Sequence, residues 1–155
     1  NVQVQLTLQD DAGNPLQAQT VFVARDTIGA GETSPFRVLF TAPPTSFSKF
    51  AVIPLRAEPG NGGAFAQIKV DKLTGTPNGA QFKVTGELTN GDQVDTTSLR
   101  MIVTAYDTEK RVIGYRYVDA AQPVLSVGAT TPFDISIVTA SQSISTFSLI
   151  AEGGK

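Results

Sequence analysis

One six-residue string is written twice along this chain. Gly31-Glu32-Thr33-Ser34-Pro35-Phe36 returns as Gly128-Ala129-Thr130-Thr131-Pro132-Phe133, keeping Gly, Thr, Pro and Phe in place at a separation of 97 positions. The same step carries Asp10 to Asp107, Leu16 to Ile113, Ile28 to Leu125, Val38 to Ile135 and Phe50 to Phe147, without a gap. A period of this length constrains the fold more than any single motif does, because each copy must then be a folding unit of one design. Two unrelated β-segments would share apolar alternation, but not a common Gly-x-Thr-x-Pro-Phe.

The second copy has a front section, roughly Ala64 to Thr97, with no counterpart in the first. The first unit is therefore expected to lack its opening strands. Glu58-Pro59-Gly60-Asn61-Gly62-Gly63 reads as the linker, since Gly and Pro punctuate structure. The expected units are a partial one over 1–58 and a complete one over 64–155. The chain begins at Asn1 without an initiator Met, so a removed leader or a longer parent polypeptide is expected.

Strict alternation of apolar and polar residues over Val2–Gln9, Gln81–Leu88, Leu99–Tyr106 and Pro132–Ile137 predicts strands with one face in a core, because successive side chains point to opposite faces. No window carries a helical stripe. Asp10 to Pro15 and Asp107 to Lys110 predict turns at matching places, with Gly13 or Asn14 available for positive φ. Thr76-Pro77-Asn78-Gly79 predicts a hairpin closed by Asn-Gly. In the repeated string, Gly permits a tight turn, Pro sets φ at a strand entry and Phe plugs the core. Six or seven short strands in about 90 residues predict an all-β fold of two tandem immunoglobulin-like β-sandwiches, the first lacking its N-terminal strands.

Short motifs carry a resemblance as well. Gly86-Glu87-Leu88-Thr89-Asn90 is similar to a Gly-x-Val-x-Asn strand end, and Val103-Thr104-Ala105-Tyr106-Asp107 stands where a Phe-x-Leu-Tyr-Asp motif would, keeping Tyr and Asp. Gly128 to Phe133 resembles a later Gly-Glu-x-x-x-Phe element. In these stretches the second unit resembles the FxLYD domain, a small immunoglobulin-like module of exported bacterial and archaeal proteins. The first unit keeps Leu6-Thr7-Leu8-Gln9-Asp10, with Leu and Asp but no Tyr. The resemblance implies a fold and no catalytic residues.

With His and Cys both absent, the usual general base, the Ser-His-Asp arrangement, thiol nucleophiles, disulfides and thiolate metal sites have no residues to build them. No enzyme activity and no cofactor are expected. Twelve basic residues against 14 acidic ones, spread without a cluster, exclude a phosphate-tracking surface, so no nucleic acid partner is expected. No apolar run reaches 18 residues, so no membrane span is expected either. Low charge, at 17%, with Thr, Ser, Gln, Asn and Gly at surface positions points to an extracytoplasmic protein: secreted, periplasmic or on the cell surface.

No metal is assigned. Calcium has candidates in two loops, Asp10 and Asp11 in one and Asp92 and Asp95 in the other, because hard cations gather oxygen ligands. Neither loop matches a defined calcium motif, and Asp in turns commonly bonds the backbone. Tyr115, Arg116 and Tyr117 form a candidate ligand cluster, with both tyrosines on one strand face, and half-buried sheet packing is the plainer reading. The functional expectation is a non-catalytic structural or interaction module of an exported or cell-surface protein, including a surface-assembly or filament subunit. Its partners are expected to be proteins, among them copies of itself joined by edge-strand pairing. A carbohydrate-binding module is the alternative.

Overall fold

The computed structural model describes residues 2–60, 64–139 and 143–155. The chain divides into two units, Asn1–Gly60 and Asn61–Lys155. Residues 61–63 of the expected linker lie outside the described residues. Every strand pairing is antiparallel, and no α-helix occurs among the described residues, so the protein is all-β.

The second unit holds seven strands: β4 (Phe65–Ala66), β5 (Ile68–Asn78), β6 (Gln81–Asn90), β7 (Ser98–Tyr106), β8 (Val112–Asp119), β9 (Thr130–Ile137) and β10 (Thr146–Gly154). They form a four-stranded sheet, β4-β10-β7-β8, and a three-stranded sheet, β5-β6-β9. The alternation read from the sequence explains why these sheets meet face to face. Leu99, Met101, Val103 and Ala105 point inward from β7, Val84 and Leu88 from β6, and Phe133, Ile135 and Ile137 from β9. Together with Leu125 they make one buried core, in which each fully buried Val, Leu or Ile contributes about 1.5–3 kcal/mol.

Two glycines are required by that packing. A Cβ on Gly86 would stand 2.8 Å from the Phe133 ring, its partner across the β6–β9 pairing. At Gly75 a Cβ would meet the rings of both Phe82 and Phe147 at 2.5 Å, and those rings pack edge to face with centroids 5.4 Å apart. The β5–β6 hairpin turns one residue later than its sequence suggests. Asn78 pairs with Gln81, leaving Gly79 and Ala80 in the loop. Gly79 takes the positive φ, +60°, as the first loop residue of this tight turn.

The first unit has three strands, β1 (Val2–Gln9), β2 (Pro15–Phe22) and β3 (Lys49–Ala57), in one sheet ordered β2-β1-β3. Its geometry is that of β8-β7-β10 displaced by 97 residues, except that the β1–β3 pairing has a bulge between Gln3 and Val4 and the β7–β10 pairing has none. Leu8 faces Gln17 and Phe50, while Ala105 faces Gly114 and Phe147. A bulge interrupts β1–β2 between Leu8 and Gln9, and another interrupts β7–β8 between Ala105 and Tyr106. The connecting turns agree as well: Gly13 at φ +90° closes Asp10–Asn14, and Lys110 at φ +61° closes Asp107–Arg111.

Beyond the sheet the two units differ. Residues 33–40, which stand 97 positions before β9, form no strand, although Phe36, Val38 and Phe40 keep the alternation of Phe133, Ile135 and Ile137. The plug expected of Phe36 is only half-buried there. A strand needs a neighbour to take up its N–H and C=O groups. In the second unit β6 does this for β9, and the described residues of the first unit contain no counterpart of β5 or β6.

Candidate functional site

Of the carboxylates named as calcium candidates, those of Asp10, Asp92 and Asp95 already accept hydrogen bonds. Asp10 accepts hydrogen bonds from the Asn14 backbone N–H at 2.8 Å and from its side-chain amide at 2.9 Å. The Asn14 side chain, then its backbone, holds the Asp10 carboxyl below its ordinary value. Asp11 is exposed, and its carbonyl accepts a bond from Lys49 Nζ at 3.0 Å. Asp92 meets Lys155 Nζ at 2.9 Å and accepts from the N–H groups of Gln93 and Gln67, so that Lys155 first and these amides next depress its pKa. Asp95 accepts from the Val127 N–H at 2.9 Å. Among the described residues no three acidic side chains converge as a metal site would require.

The tyrosine pair lies on β8 as its alternation requires. Tyr115 is half-buried and Tyr117 is 52% exposed, with the Arg100 guanidinium 5.1 Å from the centre of the Tyr117 ring. Arg116 turns the other way and donates from Nη1 to the Ser136 carbonyl on β9 at 2.8 Å. The residues of the family-like motifs also have structural duties. Asn90, 1% exposed, donates to the carbonyls of Val94 and Leu125 and accepts from the Asp92 N–H, tying two loops to the end of β6. Asp107 accepts from the N–H groups of Glu109 and Arg111 and from Arg111 Nε at 2.7 Å.

The arrangement with most to offer a partner is in the first unit, and it is a surface. Its components are Val4, Leu6 and Leu8 of β1, Val21 of β2, and Phe50, Val52 and Pro54 of β3, all on one face of the sheet by strand register. Each has its 97-residue counterpart in or against the core of the second unit: Met101, Val103 and Ala105 are buried in it, and Val118, Phe147, Leu149 and Ala151 pack against it half-buried. There β6 and β9 cover them. In the first unit Val4 and Leu8 are buried and Leu6 and Val21 half-buried, but Phe50 is 63% and Val52 40% exposed. Covering the parts of these two side chains that still meet water would add on the order of 1 kcal/mol apiece.

An open edge lies beside this face. β3 pairs with β1 on one side, and no described strand pairs with its other side. β10 in the second unit is similar, being paired on its outer side only at Gly153 and Gly154 by the short β4. Sequence reasoning anticipated unpaired backbone at the first unit but overlooked the apolar face. Its signal was available in the match of Phe50 to Phe147, combined with the missing front section.

Fold and surfaces together define an all-β protein with one closed sandwich and one sheet whose core face is partly uncovered. Compared with protein-family models, curated proteins and solved structures, the chain matches none.

Proposed function

We propose that this chain is a non-catalytic interaction module built from tandem immunoglobulin-like repeats of the FxLYD kind, belonging to an exported or cell-surface protein. Its working surface is the uncovered face of the first unit, through which it joins other polypeptide in a surface assembly or filament. The observation that carries this reading is the seven-position match between that face and the residues that form, or pack against, the core of the second unit. A surface patterned as a core and left open is built to be covered, since scattered exposed apolar residues do not align into a second copy of a packed interior. The low charge and polar surface support export.

The test is hydrophobic-dye fluorescence together with sedimentation velocity on the full chain. The native chain is expected to bind dye and to associate as concentration rises, and Phe50→Ser with Val52→Ser to suppress both. A dye-silent chain, or one indifferent to those changes, contradicts the reading. The glycan alternative rests on the exposed Tyr117, but Arg100 already lies by that ring and competes for the stacking position a sugar would take.

A further inference from the structure

We infer that the occupant of the uncovered face is a β-hairpin of the β5–β6 type, contributed by polypeptide outside residues 1–155, and that docking it turns residues 33–40 into a strand. This rests on the reading of the first unit as an interaction surface and names what that surface takes.

The second unit shows what such a hairpin does. β6 adds to β9 with Gly86 opposite Phe133, Val84 opposite Ile135 and Phe82 opposite Ile137. Subtracting the 97-residue step puts Phe36, Val38 and Phe40 where Phe133, Ile135 and Ile137 stand. The incoming strand must therefore carry a small residue opposite Phe36, because a Cβ at the equivalent Gly86 would be 2.8 Å from the ring. Its aromatic residue opposite Phe40 would meet Phe50 as Phe82 meets Phe147, at a centroid distance of 5.4 Å in the second unit. Backbone and side chains thus ask for the same partner: among the described residues, 33–40 have no neighbouring strand, their Pro35 carbonyl being held by the Ala24 N–H, and Phe50 has no neighbouring ring.

A second copy of this chain does not solve the problem. Each copy presents two sheets of the β8-β7-β10 type and one β5–β6 hairpin, among the described residues. Exchange between copies would uncover one face for every face it covers. The hairpin has to come from elsewhere, and the repeat that supplies the face also supplies the pattern of its cover.

The experiment joins a copy of the stretch 64–97 directly ahead of Asn1 in the full chain, which places the added hairpin in the same register that β5–β6 hold before Ser98. Amide exchange at 33–40 is expected to slow at least tenfold, and dye binding at Phe50 and Val52 to disappear. Changing the added copy of Gly86 to Val should reverse both effects. If the fused chain does not fold, the same stretch added as a separate peptide to the full chain is expected to give saturable protection of 33–40. The inference is overturned if neither fusion nor peptide protects 33–40 while dye still binds, a result that leaves the interaction reading standing. Protection of 33–40 in the unmodified chain by self-association would also overturn it. Loss of dye binding in the unmodified chain removes both readings.

Discussion

Gly86 shows how much one missing side chain can be responsible for. Its hydrogen lies against the Phe133 ring, and a methyl group there would need about half an ångström or more of ring displacement. Gly86→Ala is expected to destabilise the second unit by about 1–3 kcal/mol, read from the midpoint of urea unfolding. Asn90 is a polar case of the same dependence. Replacing it with Ala takes away the partners of the Val94 carbonyl and the Asp92 N–H, while the Leu125 carbonyl keeps the Thr96 N–H, and the expected loss is about 1–3 kcal/mol. For Asp107, burial raises the carboxyl pKa, but bonds from the Arg111 side chain and from the Arg111 and Glu109 amides outweigh it, so the folded pKa falls below the ordinary 3.8. The unfolded chain then binds the proton more readily, and stability is full above that value and lost as pH falls through the folded pKa. Asp107→Asn is expected to flatten acid unfolding below about pH 4. None of these roles could be read from residue type alone, since the sequence shows an Asn after a strand but not the loops that close on it.

At the scale of elements, much is legible in the sequence itself. Alternation located β1, β6, β7 and β9 to within two residues, because a period of two with one dry face leaves little freedom of register. The turn after β5 was misplaced by one, since Asn78-Gly79 and Gly79-Ala80 both offer a glycine and the pairing of Asn78 with Gln81 decides between them. The string around Phe36 and Phe133 held a deeper ambiguity. Both copies carry the residues of a strand entry, yet only residues 130–137 form a strand, because pairing depends on a neighbour that local sequence cannot show. The paired turns give a prediction at this scale. Gly13 sits at φ +90°, beyond the range comfortable for other residues, whereas Lys110 sits at +61° in the left-handed well. Gly13→Ala is expected to cost about 1–2 kcal/mol. Lys110→Gly should be nearly neutral, because relief of strain is offset by a freer unfolded chain. Thermal unfolding of the two variants checks the pair.

For the whole molecule, one design is carried out twice to different degrees of completion. The second unit closes its interior with β5, β6 and β9, and the first presents part of the same interior to solvent. The candidate surface was legible as an alignment of Phe50 with Phe147 but not as a surface, because alignment says nothing about what lies above a residue. The difference has a cost that mutation can measure. Leu88→Ala, in the closed core, is expected to destabilise the second unit by about 2–5 kcal/mol, while Phe50→Ala, at a position mostly in water, should cost less than about 1 kcal/mol.

Residue-resolved amide hydrogen exchange on the chain as it stands tests the repeated design most directly. From Val4 and Met101 onward, paired amides of β1 and β3 should be protected in the same alternating pattern as those of β7 and β10, with residues 130–137 slow and residues 33–40 at least about a hundredfold faster. Equal protection of 33–40 and 130–137 in the monomeric chain, or unrelated patterns in the two sheets, would contradict the account.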